Sequence, residues 1–276
     1  MTDSQLTVLV ASGFKELRLA DQLCTVTWVG ATGVQVWFNY ESAIDPAAVR
    51  RCVADAGLAL RSVHLPFGPG YDISSFVTRE RESAVGKLVD RLDLVASLGA
   101  AFGVVHPCAR VDKEMTVGTR REHLKIIADS LTRLTAAAEQ RGVGLALENM
   151  PPPLLGDRIE EVIRAVTAAD RPALGICFDT GHANITGRAH RMFRKAAPHV
   201  ISIHVHDNGG KEDDHALPFN GTLDWDAFRA ELDRADYRGE FTLECLEPIL
   251  LAHRKNDLAW RDRFRQWYAG TASGTD

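Results

Sequence analysis

The feature that most constrains this chain is a regular alternation of two kinds of segment. Short runs rich in β-branched and apolar residues, such as TVLVA (7–11) and GVQVWF (33–38), are each followed by a longer stretch with helical spacing. This order is typical of parallel strands joined by helices. Eight strands are expected, at 7–11, 33–38, 58–64, 102–106, 143–149, 174–179, 200–206 and 240–244. Eight helices are expected near 17–29, 46–56, 79–98, 118–140, 157–169, 188–197, 224–235 and 254–268.

Two parallel-sheet architectures fit such units. An open doubly wound sheet usually carries a glycine-rich phosphate loop after its first strand, whereas here that position reads ASGFKEL, without G-x-G-x-x-G. Eight near-regular units in 276 residues favour the closed barrel. The sequence therefore predicts an α/β fold, a single (β/α)8 TIM barrel domain over 1–276, with the barrel at about 7–268 and a short flexible tail at 269–276.

Composition and charge argue against several classes of protein. Hydrophobic residues make up 45% and charged residues 25% of the chain, and no apolar run approaches the roughly 18–20 residues of a membrane helix. The start, MTDSQLTVLV, lacks the basic and apolar regions of a signal peptide. Five scattered cysteines without a C-x-x-C pair predict reduced thiols and a cytoplasmic location. The formal net charge of −5 does not indicate a basic nucleic-acid binder.

Polar residues fall on one face of six predicted strands. Since side chains of a strand alternate between faces, Leu145 and Leu147 share one side, and Ala146 and Glu148 share the other. The other five strands show the same separation, and each inward series ends in His, Asp or Glu near the C-terminal end of its strand. Active sites of barrels are built at that end. The set is His64, His106, Glu148, Asp179, His204 and Glu244.

A cluster of three carboxylates near a barrel axis needs compensation. The groups would repel one another and lose hydration unless they were protonated or bound to a cation. A divalent metal is the simplest compensation, and carboxylate and imidazole ligands without thiolate suit zinc or manganese, with cobalt and magnesium as further choices. A structural polar cluster is the alternative.

Motifs near the sixth and seventh strands add candidate residues. DTGHAN places His182 three residues after Asp179, and DDH places Asp213 two residues before His215. His206 has the same strand parity as His204, but it lies one step nearer the end of that strand. We therefore expect His206 at the rim, facing the substrate, and not among the metal ligands.

Together these motifs resemble the xylose-isomerase-like barrel superfamily, which contains sugar-phosphate isomerases and epimerases and the endonuclease IV type of DNA-repair enzyme. The resemblance covers about residues 7–246 and rests on LALEN, GICFDTGHAN, HVHDN, DDHALPFNG and FTLEC. It implies a metal site of Glu148, Asp179, His204 and Glu244, in which the two glutamates also move protons and His182 contacts the substrate. In the endonuclease branch, further metals are held by residues that match His64, His106, His182, Asp213 and His215.

One part of the superfamily pattern is missing. Ketose 3-epimerases carry a second Glu six residues after the first metal-binding Glu and an Arg six residues after the metal-binding His; here these positions are Leu154 and Gly210. This departure argues against a ketose 3-epimerase in the narrow sense.

The sequence thus predicts a divalent-metal-dependent isomerase or epimerase of a sugar, sugar phosphate, polyol or related keto-acid, which works through an enediolate. Glu148 and Glu244 are the expected proton carriers. The expected substrate contacts are His64, His106, His182, His206 and Lys211. A multi-zinc phosphodiesterase of the endonuclease IV type, a metal-dependent dehydratase and a non-catalytic binding barrel stay open. The expected partner is a small carbohydrate-like molecule, without nucleic acid or membrane, and a homo-oligomer stays open.

Overall fold

The strands of the molecule form a closed parallel barrel. The computed structural model describes residues 5–14, 18–108 and 116–270, so the tail predicted at 269–276 lies outside the described residues from 271 onward. Neighbouring strands pair in chain order, and the last pairs with the first, which confirms the predicted barrel. The strands are β1 (Gln5–Ser12), β2 (Gly33–Phe38), β3 (Ala59–His64), β4 (Phe102–Val105), β5 (Gly144–Glu148), β6 (Leu174–Asp179), β7 (Val200–Val205) and β8 (Glu240–Leu243).

Helices surround this barrel and lie close to the predicted stretches. They are α1 (Leu19–Val29), α2 (Pro46–Asp55), α3 (Thr78–Leu98), α4 (Val117–Glu139), α5 (Ile159–Ala169), α6 (Thr180–Ile185), α7 (Ala189–Ala196), α8 (Trp225–Arg234), α9 (Leu246–Arg254) and α10 (Leu258–Ala269). Aspartates at the N-cap begin several of them: the side chains of Asp45 and Asp224 accept from the backbone N–H three residues on, at 3.0 and 2.9 Å. None of the described helices has the length and apolar character needed to span a membrane.

Two of these helices, α6 and α9, were not predicted, and the last helix begins later than expected. Asp179 ends β6 and at once caps α6, because its carboxylate accepts from the N–H of His182 at 2.7 Å. The helix predicted from 254 instead begins after Asp257, whose side chain caps Trp260 N at 3.0 Å. The first turns of α6 and α10 therefore depend on aspartate caps that the apolar periodicity alone does not reveal, whereas α9 begins without a side-chain cap.

The barrel separates two apolar regions. Outward side chains of the strands join the helices in one large core, as the strand parity predicts for Leu145, Leu147, Phe178 and Phe241. A second, small cluster fills part of the barrel interior and consists of Phe102, Val104, Ala146 and Cys177. Polar side chains occupy much of the remaining interior, and they lead upward to the C-terminal ends of the strands. Cys24, Cys52, Cys177 and Cys245 are free thiols.

Candidate metal centre and active site

The C-terminal ends of β5 to β8 bring four predicted ligands together. Glu148 and Asp179 end β5 and β6, His204 lies in β7, and Glu244 follows β8. One donor atom from each lies within 4.8 Å of the others. His204 Nδ1 lies 2.6 Å from Glu244 Oε2 and 3.3 Å from Glu148 Oε1. We name these four residues the metal cluster.

Three polar atoms of the metal cluster form no hydrogen bond with the rest of the protein. Glu148 Oε2, His204 Nδ1 and Glu244 Oε2 are all buried and accept or donate none, so the short His204–Glu244 contact is an ion pair without hydrogen-bond geometry. A buried polar group left in this way costs roughly 1–3 kcal/mol, and a charged one costs more. Three carboxylates and one imidazole are a donor set that suits zinc or manganese. The residues therefore fit a divalent cation.

Charge balance in the metal cluster favours ionised carboxylates. Burial raises the pKa of Glu244, but the charge of the His204 ring outweighs it and brings the pKa to about 2. Burial likewise opposes the charge on His204, yet the acidic groups around it, including Glu148 and Glu244, raise its pKa well above the ordinary value. In the metal-free protein a proton on His204 supplies the positive charge, so cation binding and proton release are linked.

Two further imidazoles approach Glu148 from β3 and β4. His64 Nε2 lies 3.4 Å and His106 Nε2 lies 3.2 Å from Glu148 Oε2. Burial lowers the pKa of His106, which keeps its ring neutral, and His106 Nε2 makes no hydrogen bond. Both rings are therefore in position to bind a ligand oxygen or a further cation beside Glu148.

A second group of polar residues lies on the other side of Asp179. Asp213, on the loop after β7, has its Oδ2 atom 3.2 Å from His182 Nε2 and 3.1 Å from His215 Nε2. Burial lowers the pKa of both rings, but the neighbouring carboxylates raise each to about 10. The three side chains thus form one charged group over the barrel mouth. Lys211, on the same loop, is exposed.

His206 was expected at the rim, facing the substrate, and that role stays a prediction. Its side chain is fully buried directly after β7, and its Nε2 atom lies 3.1 Å from Asp179 Oδ2. The ring of His215 stacks on it in parallel, with centroids 4.1 Å apart. Gly181 makes the space, because a Cβ atom there would lie 2.0 Å from His206 Cε1. His206 therefore orients Asp179 from beneath the loop.

A polar layer beneath the metal cluster was not among the sequence-based predictions. Gln35 Oε1 lies 2.9 Å from His204 Nε2, while Gln35 Nε2 donates to Ser62 Oγ at 2.8 Å. Ser62 in turn donates to Glu240 Oε1 at 2.6 Å. The sequence carried a signal for this layer, since Glu240 has the same strand parity as Glu244.

Aromatic side chains line one side of the mouth. Phe67 stacks on His106 with ring centroids 4.6 Å apart, and its outer face keeps the side chain 46% exposed. Trp37 lies next to Phe67 at 6.2 Å, and Phe14 lies next to Trp37 at 4.8 Å. These three residues, the aromatic wall, offer a flat apolar surface beside the polar cluster.

Comparison with known proteins places the chain in a family. An uncharacterized protein, y4fM of Sinorhizobium fredii, is 29% identical over 215 residues, which cover 71% of this chain and 69% of that protein. An inosose isomerase of Bacillus velezensis is 24% identical over 172 residues, 59% of this chain and 60% of that protein, so the chain matches less than two thirds of its length. The solved structure of a D-tagatose 3-epimerase-like protein matches with a TM-score of 0.76 at 20% identity, over 95% of this chain and 98% of that one. The model of the family described as xylose isomerase-like TIM barrel matches residues 27–267, and the chain therefore belongs to the xylose isomerase-like TIM barrel family.

Proposed function

We propose that this protein is a divalent-metal-dependent isomerase or epimerase of a sugar, polyol or related keto compound. The observation that carries the proposal is the meeting of two glutamates from the ends of different strands, the buried Glu148 and the partly exposed Glu244, at Nδ1 of His204. Each glutamate has one oxygen without a hydrogen bond. Such oxygens can hold a cation and, when substrate enters, accept a proton from carbon.

The residues divide the chemistry between them. Glu148, Asp179, His204 and Glu244 would hold the ion, and when bound it would polarise a substrate carbonyl and stabilise the negative charge of an enediolate. One ionised glutamate removes the proton from the carbon beside the carbonyl and becomes a neutral carboxylic acid. The other takes up a proton from water and donates it to the enediolate carbon, after which the first glutamate releases its proton to water. Both carboxylates have a lowered pKa, so at neutral pH they are ionised and ready to accept.

Side chains around the metal cluster would bind the rest of the substrate. The neutral ring of His106 and its neighbour His64 face Glu148 from one side, and the pair His182 and Asp213 lies on the other. These groups suit hydroxyl oxygens, and Lys211 is a further candidate on the loop. The aromatic wall suits the apolar C–H face of a carbohydrate. The inosose isomerase among the relatives supports a polyol-type ketone as substrate.

Exchange of the carbon-bound proton tests this function without knowledge of the product. Ketoses and inososes are incubated with Mn²⁺-loaded protein in D₂O, and deuterium at the carbon beside the carbonyl is followed by NMR. We expect incorporation with the wild type and none with the double variant Glu148→Gln, Glu244→Gln. Glu231→Gln, which changes a buried carboxylate on α8 that is paired with Arg194, is the matched control and should behave as wild type. Wild-type turnover by the double variant would refute the proposal.

A second candidate function is a multi-zinc phosphodiesterase. It is favoured by the two additional groups, because His64 and His106 converge on one oxygen of Glu148 while His182 and His215 converge on one oxygen of Asp213. Each group resembles the donor set of a further zinc ion. Metal analysis of the purified protein separates the functions: about one ion per chain favours the isomerase, and about three favour the phosphodiesterase. Cleavage of DNA with an abasic site would then decide for the phosphodiesterase.

A further inference from the structure

The two nitrogens of the His204 ring have different surroundings. Nδ1 faces Glu148 and Glu244, whereas Nε2 lies 2.9 Å from Oε1 of Gln35, and the ring is fully buried. A neutral imidazole carries one proton, on one nitrogen or the other. Nδ1 can therefore bind a cation only when Nε2 keeps the proton.

The side-chain amide of Gln35 has its direction set by an acid two steps away. Glu240 Oε1 accepts from the hydroxyls of Ser62 at 2.6 Å, Thr242 at 2.8 Å and Thr7 at 3.3 Å. Because Ser62 gives its proton to this oxygen, it can only accept from the amide, which lies 2.8 Å away. The NH₂ group of Gln35 therefore faces Ser62, and its oxygen faces His204.

We propose that Gln35 is a positioning residue for His204. Its oxygen accepts the Nε2 proton and so leaves Nδ1 as the donor atom for the cation; the inference rests on the proposed role of His204 as a ligand. Metal-bound histidines are commonly held in this way by an acceptor on the other nitrogen. Here the acceptor is an amide that a buried acid orients through a serine, and all four side chains lie inside the barrel.

Two variants test the role of the amide oxygen through metal affinity. Gln35→Met keeps the volume but removes the acceptor, and we expect its dissociation constant for Mn²⁺, from chelator competition, to rise about 10–100-fold. The double variant Gln35→Glu, Glu240→Gln reverses the order of amide and acid, keeps an acceptor for His204, and should restore near wild-type affinity. Ser202→Ala is the matched control. Ser202 lies in β7, the strand of His204, is fully buried, and has no hydrogen bond to lose.

The proton on Nε2 supplies a readout that needs no metal. In protein labelled with ¹⁵N-histidine, metal-free and loaded with Zn²⁺, we expect a slowly exchanging Nε2–H signal from His204. Gln35→Met removes the acceptor of this proton, so the proton should exchange faster with water and its ¹H signal should move upfield, whereas Ser202→Ala should leave both unchanged. If Gln35→Met does not fold, Ser62→Ala, which frees the amide to turn, is scored by the same two measurements.

The outcomes separate this inference from the proposed function. The role of Gln35 is overturned if the wild type shows no slowly exchanging proton on Nε2, or if either the signal or the Mn²⁺ affinity is unchanged when Gln35 loses its acceptor. If the wild type binds no divalent ion, the proposed function fails and Gln35 has no ion to serve, although the metal-free signal still shows whether Gln35 orients the ring. If the ion binds but no substrate exchanges deuterium, the role of Gln35 stands alone.

Discussion

The mouth of the barrel and the layer directly beneath it both bury carboxylates, yet they treat them differently. Beneath the mouth, one oxygen of Glu240 accepts hydrogen bonds from three hydroxyls. At the mouth, Glu148 and Glu244 each keep one buried oxygen without any hydrogen bond. Hydrogen bonds within the protein satisfy Glu240, whereas Glu148 and Glu244 each have one oxygen that can still bind a cation or a ligand atom.

This difference shows why residue type alone does not identify a site. All three glutamates point into the barrel from strand residues of the same parity or from the strand end. What separates them is whether their buried oxygens accept hydrogen bonds, since most buried polar atoms in proteins do have a partner. The unpaired oxygens of Glu148 and Glu244 therefore fit the proposed cation site, and the hydrogen bonds of Glu240 fit the proposed support of His204.

The largest expected contrast is in turnover. Glu148→Gln should lower kcat/KM by about 10²–10⁴-fold, the usual contribution of a group that transfers a proton. Glu240→Gln keeps an acceptor oxygen for the hydroxyls and should stay within about tenfold of wild type, the smallest effect usually seen when a residue that orients a metal ligand is changed. Steady-state kinetics on the substrate found by deuterium exchange measures both. Equal loss in the two variants, both folded, would end the distinction between mouth and support.

In stability, by contrast, the layer beneath the mouth should show the large effect. Glu240→Ala removes the acceptor that Ser62, Thr242 and Thr7 share, leaves among them only the 2.7 Å hydrogen bond between Thr7 and Thr242, and opens a cavity, so we expect the free energy of unfolding to fall by about 3 kcal/mol. Ser202→Ala removes a buried hydroxyl that has no hydrogen bond, so it should raise the free energy of unfolding or leave it unchanged. Urea unfolding of the metal-free proteins gives both values. A similar cost for the two would mean that the layer of Glu240 is not satisfied as described.

Metal should stabilise the folded protein through the mouth alone. At a free Mn²⁺ concentration of about one hundred times the dissociation constant, binding adds about 2.7 kcal/mol to the free energy of unfolding. Glu244→Gln replaces a ligand and should lose most of this gain at the same concentration, while Ser202→Ala should keep it. Melting curves with and without EDTA measure the gain. A gain in Glu244→Gln as large as in wild type would place the ion elsewhere.

Strand parity predicted much of the site before any coordinates. It placed His64, His106, Glu148, Asp179, His204 and Glu244 at one end of the barrel, and the structure brings them together there. The reason is geometric, because parallel strands fix both the face and the end at which a side chain emerges. The same rule applied lower in the strands would have found Gln35 and Glu240, which share the inward face.

Other features could not follow from parity. The burial of His206 depends on the loop after β7, which turns back through an Asp207–Ala216 bridge and sets His215 on top of the ring. The position of a loop is set by contacts between distant residues rather than by a repeating pattern. Helix α9 was missed for a local reason, since Cys245 supplies no side-chain cap and Pro248 lies in its first turn.

The smallest expected effect is in pH dependence, and it distinguishes Glu240 from an ordinary paired acid. Burial raises the pKa of Glu240 above its usual 4.5, although hydrogen bonds from Ser62 and Thr242 act the other way. Above pH 4.5 the folded protein thus binds more protons than the unfolded chain, and this contribution to stability is lost as pH rises through the raised pKa. The free energy of unfolding of Glu240→Gln, relative to wild type, should therefore rise as the pH increases above about 4.5 and through the raised pKa of Glu240, by at most about 1.4 kcal/mol per pH unit.

Glu231 supplies the matched control of opposite sign. Its hydrogen bond with Arg194 brings its pKa to about 2, so its contribution is present above pH 4.5 and is lost as pH falls towards 2. Glu231→Gln should therefore be most destabilising at neutral pH and approach wild type in acid, whereas Glu240→Gln compares worst with wild type in acid. Urea unfolding across this range measures both. If the difference in free energy of unfolding between Glu240→Gln and wild type does not change with pH, the pKa of Glu240 is the same in the folded and unfolded protein. The contrast between the layer of Glu240 and the mouth would then rest on the hydrogen-bond geometry alone.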